Sequence, residues 1–272
     1  NELLIYEHVA DSGPHLARYE MADGRWRQVA TTGAPALLQQ PVLAVVRDPD
    51  RKQNVYICRS DRQLHAVTWD GGELWQRPLE GTLAASVSAA DVDGDGRAEI
   101  AAAVSDGTLR LYACGEDKTL VQKNEFEHLI AWHNHHPVFC DLRGDGQLCL
   151  LTAGDNKEGQ LVIRAFLPTG EPLWETTLPA TIADLRGLIL NPGNFLKQGR
   201  TAVAVSLIDA RQVHEGTFLL DGPTGEQLWF RGLYRNGGIV MPYRPNGIPT
   251  AYDYDQDGVG EIGMDMLSYM AF

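Results

Sequence analysis

No stretch of this chain approaches the ~18 consecutive apolar residues of a membrane-crossing helix. No window carries a sustained apolar stripe at helical spacing, and 28 glycines and 14 prolines interrupt the chain too often for long helices. Basic residues are scarce, with 23 Lys and Arg against 36 Asp and Glu, a net charge of −13 and a pI near 5.0. That balance argues against a nucleic-acid surface, which works by neutralising phosphates. The four cysteines form no CxxC, no CxxCH and no adjacent pair, which weakens a redox reading. HExxH, G-x-S-x-G, a P-loop and a Ser-His-Asp order are also missing, and no convincing acidic pair lies outside the loops described next. No catalytic residue is assigned.

What the chain does have is acid in a strict order. DVDGDGRAEI at 91–100 returns almost unchanged as DYDQDGVGEI at 253–262. Asp91, Asp93 and Asp95 supply hard oxygens at positions one, three and five, the backbone carbonyl of Arg97 can supply position seven, and Glu99 closes the shell at position nine. Asp253, Asp255, Asp257, the Val259 carbonyl and Glu261 repeat the set. The order predicts two Ca²⁺ sites. An EF-hand needs its bidentate glutamate at position twelve, where this chain has Ala102 and Met264, so that reading fails twice. Each loop empties into an apolar run of strand length, Ile100–Val104 and Ile262–Met266. The alternative is an acidic turn that holds no ion.

A third copy, DLRGDGQLCL at 141–150, has Arg143 in place of the second carboxylate and Cys149 in place of the closing glutamate, and is expected to keep the turn and lose the ion. NFLKQGRTAVAV at 194–205 and RDPDRKQNVYI at 47–57 read as more eroded copies. Cys140 and Cys149 flank the third loop and are either a cross-link or a pair of buried thiols, while Cys58 and Cys114 read as core.

A second element recurs downstream of the loops. WDGGELW (69–75), LPTGEPLW (167–174) and DGPTGEQLWF (221–230) each set a glycine turn before a Leu-Trp pair, and ADGRW (22–26) is a shorter version. The tryptophans at 26, 75, 174 and 229 imply a period of about fifty residues, in the range of propeller blades. Their expected role is packing between neighbouring blades. Within a period the pattern is strand, turn, strand. Leu109, Leu111 and Ala113 alternate with Thr108, Arg110 and Tyr112, and Thr201–Val205 is a small, mostly apolar segment suited to a strand buried on both faces. The fold class is therefore all-β, a β-propeller of four-stranded antiparallel blades. The blades are placed at roughly 27–75, 76–123, 124–174 and 175–229, with partial blades at 1–26 and 230–272.

On these motifs the chain resembles the FG-GAP/VCBS type of calcium-loop propeller, with Gly-x-x-Leu-Trp turns similar to those of quinoprotein-like (PQQ-like) repeats. The resemblance covers the chain as a repeat pattern and two loops at full strength. It implies calcium bracing of blades and a propeller that serves as a binding platform or carries an active site.

Outside the loops, IAWHNHHPVF at 130–139 concentrates His133, His135 and His136. His133 and His135 point to one side of a strand and His136 to the other, so two at most can share a metal. The segment is either a His-rich ligand-binding rim or a polar strand edge with satisfied imidazoles. YRNGGIVMPYRPNG at 234–247 offers Tyr234, Arg235, Tyr243 and Arg244 in a Gly/Pro-rich loop that is a second ligand surface or a plain connection.

The favoured function is a calcium-stabilised protein- or glycan-binding scaffold module of a larger protein. The alternative is the propeller of an enzyme, resembling the rhamnogalacturonan-lyase group of polysaccharide lyases and hydrolases or, less favoured, a quinoprotein oxidoreductase. Loops of this kind bind calcium at ~10⁻⁴–10⁻³ M, far above cytosolic levels, which points to the periplasm, the cell surface or secretion. Asn1-Glu2-Leu3-Leu4-Ile5 aligns with Ala98–Ala102, as though residue 1 began inside a loop. The chain is accordingly expected to be about five blades' worth of a seven- or eight-bladed propeller. Both ends should pack against further polypeptide, and the piece expressed alone should be poorly soluble or associate.

Overall fold

The computed structural model describes residues 2–9, 13–33, 42–48, 53–60, 63–79, 83–114, 120–127, 137–156, 158–181, 185–196, 200–209, 216–232, 250–253, 255–265 and 269–271. Every regular element among them is a β-strand. The chain divides into two compact units, one of Asn1–Thr82, Ala89–Ile100 and Tyr112–Gln122, the other of Leu83–Ser88, Ala101–Leu111 and Lys123–Phe272.

In the first unit, β1 (Glu2–Val9), β2 (Gly13–Ala22) and β3 (Arg25–Gly33) form a three-stranded antiparallel meander. Strands β4 (Val42–Asp48), β5 (Gln53–Ser60), β6 (Gln63–Val67) and β7 (Glu73–Pro78) form a four-stranded one. The next sheet has its residues divided between the units and orders β8 (Leu83–Ala90), β9 (Glu99–Val104), β10 (Thr108–Cys114) and β11 (Leu120–Glu127) in sequence. The second unit holds two four-stranded antiparallel sheets. One is β12 (Val138–Cys140), β13 (Cys149–Asp155), β14 (Gln160–Phe166) and β15 (Pro172–Thr181). The other is β16 (Leu185–Leu196), β17 (Arg200–Asp209), β18 (Gly216–Asp221) and β19 (Gln227–Gly232). Strands β20 (Thr250–Tyr252), β21 (Glu261–Asp265) and β22 (Tyr269–Ala271) close the series.

Local chemistry sets the turns. Asp23 and Gly24 link β2 to β3 at φ 53° and 70°, and Ala22 pairs with Arg25 across them. Two positive angles in a row twist a two-residue turn to match the strands, and Asp-Gly tolerates them at low cost.

In the second unit the sheets bury both faces. Leu151, Ala153, Leu161, Ile163 and Ala165 meet Val203, Val205, Leu207, Phe218 and Leu220 of the following sheet. On the opposite face Leu150 and Phe166 pack with Ala101, Ala103, Leu109 and Leu111. Ala202, Ala204 and Leu219 then use the other side of the β16–β19 sheet to cover Ile262 of β21. Neighbours along a strand point to opposite faces, so two buried faces demand an apolar residue at nearly every position. This accounts for the unbroken apolar runs at 100–104 and 202–205.

Arg110 departs from the alternation expected of β10. It is 6% exposed and is held by Asp106 Oδ2 at 2.6 Å and Glu125 Oε2 at 3.1 Å. A buried guanidinium is tolerated because its charge and donors are matched. Trp174 behaves as the repeat predicts. Its Nε1–H donates to Gly222 O at 2.8 Å in the turn of the following sheet, and Thr176 Oγ1 donates to Gly225 O at 2.6 Å. Trp26 and Trp229, in contrast, are 43% and 40% exposed in the described structure. Cys58 lies in the core with Leu16, Tyr56 and Val67, as expected.

Candidate metal centres

Each acidic loop is built first from its own backbone. In the first, Asp91 accepts hydrogen bonds from Gly94 N at 2.8 Å and Gly96 N at 2.9 Å. Asp93 accepts from Asp95 N at 3.3 Å, and Asp95 from Arg97 N at 2.7 Å. The second loop repeats the scheme. Asp253 accepts from Asp257 N at 3.0 Å and Gly258 N at 2.9 Å, Asp255 from Asp257 N at 3.1 Å, and Asp257 from Val259 N at 2.9 Å. Positive φ recurs at Gly94 and Gly96, and at Gln256 and Gly258. Gln256 adopts at φ 62° what Gly94 adopts at 77°, so the wrap is imposed by the hydrogen bonds even where no glycine eases it.

The carboxylates then converge. Oxygens of Asp253, Asp255, Asp257 and Glu261 all lie within 4.8 Å of one another, as do those of Asp91, Asp93 and Glu99. Asp95 falls outside the second of these sets. Glu99 is 2% exposed and accepts from Val92 N at 2.9 Å, so a charge stands at the start of the buried strand β9. Two unit charges ~4 Å apart repel by about 1 kcal/mol even in bulk water, and by more where water is excluded. Such a set is stabilised by a divalent cation with hard oxygen preference.

The third loop has the same backbone and different chemistry. Asp141 accepts from Gly144 N at 2.7 Å and Gly146 N at 2.8 Å, and Asp145 from Gln147 N at 3.0 Å. Burial works against the Asp141 carboxylate, yet four backbone N–H donors together hold it below the usual carboxylate range. Arg143 NH2 lies 3.1 Å from Asp145 Oδ2 and also donates to Gln147 Oε1. A side-chain cation thus sits where the other loops gather oxygens. Because this loop wraps fully without the ion set, the wrap alone is no sign of metal, and positions three and nine make the difference.

Sequence reasoning missed how the second loop is fastened. Asn194 of β16 donates from Nδ2 to Gly258 O at 2.5 Å and accepts from Gly260 N at 2.6 Å through its carbonyl. A Cβ on Gly260 would come within 3.3 Å of the Phe195 ring. The only signal was that Asn194 opens one of the eroded copies. His133, His135 and His136, and Tyr234, Arg235, Tyr243 and Arg244, lie outside the described residues.

Residues 91–152 match the FG-GAP-like repeat family, which spans the first acidic loop and the third. No curated protein sequence matches the chain. Among solved structures, the chain is similar to BBS1N in complex with ARL6DN. With the mercury-soaked crystal the TM-score is 0.54 at 12% identity, over 95% of this chain and 73% of that one. With the lead-soaked crystal it is 0.53 at 10% identity, over 99% and 78%. BamB from Moraxella catarrhalis is similar at TM-score 0.38 and 14% identity, over 85% of this chain and 77% of that one. At such identities the likeness is one of fold, and the fold is a β-propeller.

Proposed function

We propose that this chain is a calcium-braced β-propeller module whose task is to bind another protein. The observation that carries the calcium reading is the convergence of Asp253, Asp255, Asp257 and Glu261, repeated by Asp91, Asp93 and Glu99 on a loop of the same sequence order. The carbonyls of Val259 and Arg97 complete each shell at position seven, and Asp95 turns in when the ion arrives. Two bound ions bring the net charge from −13 to about −9. Protein recognition is supported by the likeness to BBS1N, whose structure is a complex with ARL6DN. The millimolar affinity typical of extracellular calcium modules supports a place outside the cytosol, in the periplasm, on the surface or secreted. No described helix is long and apolar enough to cross a membrane. A glycan is the second ligand class such a platform would take.

Calorimetric titration of the chelated chain with Ca²⁺ tests the metal part. Two sites with dissociation constants of ~10⁻⁴–10⁻³ M are expected. Arg143→Asp should leave the stoichiometry at two, because Cys149 still denies the third loop its closing carboxylate. Saturable binding to the Arg143→Asp loop with none to the two full loops would overturn the assignment.

A further inference from the structure

The 141–148 loop wraps like its relatives and lacks the two carboxylates that would let an ion close it. Its ends are cysteines. Cys140 is the last residue of β12 and Cys149 the first of β13, and the two are directly opposed in the antiparallel register. Opposed residues have Cα atoms ~4.5–5.5 Å apart, inside the range that a disulfide spans, and Cβ atoms that start at ~4.5 Å, the upper end of what the bond needs, so closing it draws the two strands slightly together. Both side chains belong to one core cluster, so they leave the sheet on the same face. Both are buried as free thiols in the structure. Burial pushes the Cys140 thiol up to about 12, and the neighbouring Cys149 adds to the shift.

We propose that Cys140 and Cys149 are a disulfide site, a covalent closure of the third loop at the place where Glu99 and Glu261 close the others. Cys149 is the position-nine residue of its loop, as Glu99 is of the first. The oxidant is a small-molecule disulfide of the glutathione class. A Cys140 thiolate attacks it, forming a mixed disulfide and releasing one small thiolate. Cys149, deprotonated in turn, attacks the Cys140 sulfur, the mixed bond breaks and the second small thiolate leaves. Two protein thiols are oxidised by two electrons, the small disulfide is reduced to two thiols, and the two protons pass to the departing thiolates. Because both sulfurs are buried, the exchange belongs to folding or to opening of the loop, and the finished bond is shielded from reductant.

Trypsin offers a direct readout, since Arg143 lies between the two cysteines. Cleavage after Lys123, Arg143 and Lys157 separates Cys140 in 124–143 from Cys149 in 144–157. The full chain is refolded in chelator with oxidised and reduced glutathione, its free thiols are alkylated under denaturing conditions, and the digest is weighed. One linked species is expected, lighter than the two peptides together by two hydrogen atoms and split by dithiothreitol, with Cys58 alkylated. Recovery of both peptides alkylated, or linkage of either to Cys58 or Cys114, overturns the proposal. Cys149→Ser should return 124–143 unlinked; if that variant does not fold, the wild-type map decides alone. Chelator keeps this result independent of the calcium reading.

Discussion

About 10 mM Ca²⁺ is expected to raise the melting temperature of the chelated protein by several degrees, with Mg²⁺ at the same concentration giving little. For a site with a dissociation constant of ~10⁻⁴–10⁻³ M, that concentration stabilises the folded chain by roughly 1.4–2.7 kcal/mol, and two sites roughly double it. At the roughly 2–4 °C per kcal/mol of a chain near this size, the shift is about 6–22 °C. Mg²⁺ is the weaker ligand because it demands a tight octahedron and gives up water reluctantly. Asp93→Asn separates a metal role from a structural one. In Ca²⁺ it should lose most of one site's share, while in chelator it removes a like charge from the Asp91–Glu99 set and should cost almost nothing. An equal loss in both conditions, measured by thermal melts, would sink the calcium reading.

Gly222→Ala is expected to be strongly destabilising in the second unit. A Cβ there would lie 2.5 Å from Thr201 O and 2.7 Å from Leu142 O, and neither backbone atom can swing aside. Gly222 N also donates to Thr201 O at 3.0 Å, so the strand that must retreat is one the turn is bonded to. The same turn receives the Trp174 indole at Gly222 O, coupling the clash to the preceding β12–β15 sheet. A cost of about 3 kcal/mol follows, or a melting temperature lower by roughly 6 °C or more. Gly33→Ala is the matched control. No atom lies within 4 Å of its Cβ position and its φ is not positive, so its change should stay within about 0.5 kcal/mol. Similar melts for the two variants would mean that the Gly222 turn gives way more easily than its contacts imply.

Much of the fold was legible because its determinants act over a few residues. Asp23-Gly24 announces a two-residue hairpin, and an aspartate at position one of each loop finds N–H donors three to five residues on. Continuous apolar runs marked strands buried on both faces, whereas the alternation along β10 did not mark a half-buried strand, since Leu109, Arg110, Leu111 and Tyr112 are all buried. The charge on β10 was harder to read. Arg110 belongs to the polar set that alternates with Leu109 and Leu111, and its placement beside Asp106 and Glu125 makes its burial tolerable. The tryptophan turns were legible as packing elements and misleading as a uniform set, since Trp174 meets the next turn and Trp26 and Trp229 are exposed.

Sequence alone determined the repeating strand-and-loop plan, the order of carboxylates around each turn, and the loss of that order at Arg143 and Cys149. These are properties of segments about ten residues long, whose hydrogen bonds close within themselves. The tertiary structure decided which distant groups each segment meets: Trp174 with Gly222, 48 residues away, Thr176 with Gly225, 49 away, and Asn194 with Gly258, 64 away. It also decided that all four acids of the second loop converge while Asp95 stands apart in the first, and that Cys140 and Cys149 face each other in register. Such pairings depend on how one sheet docks on the next and on strand register. Docking is set by the summed packing of whole faces, which no short motif encodes.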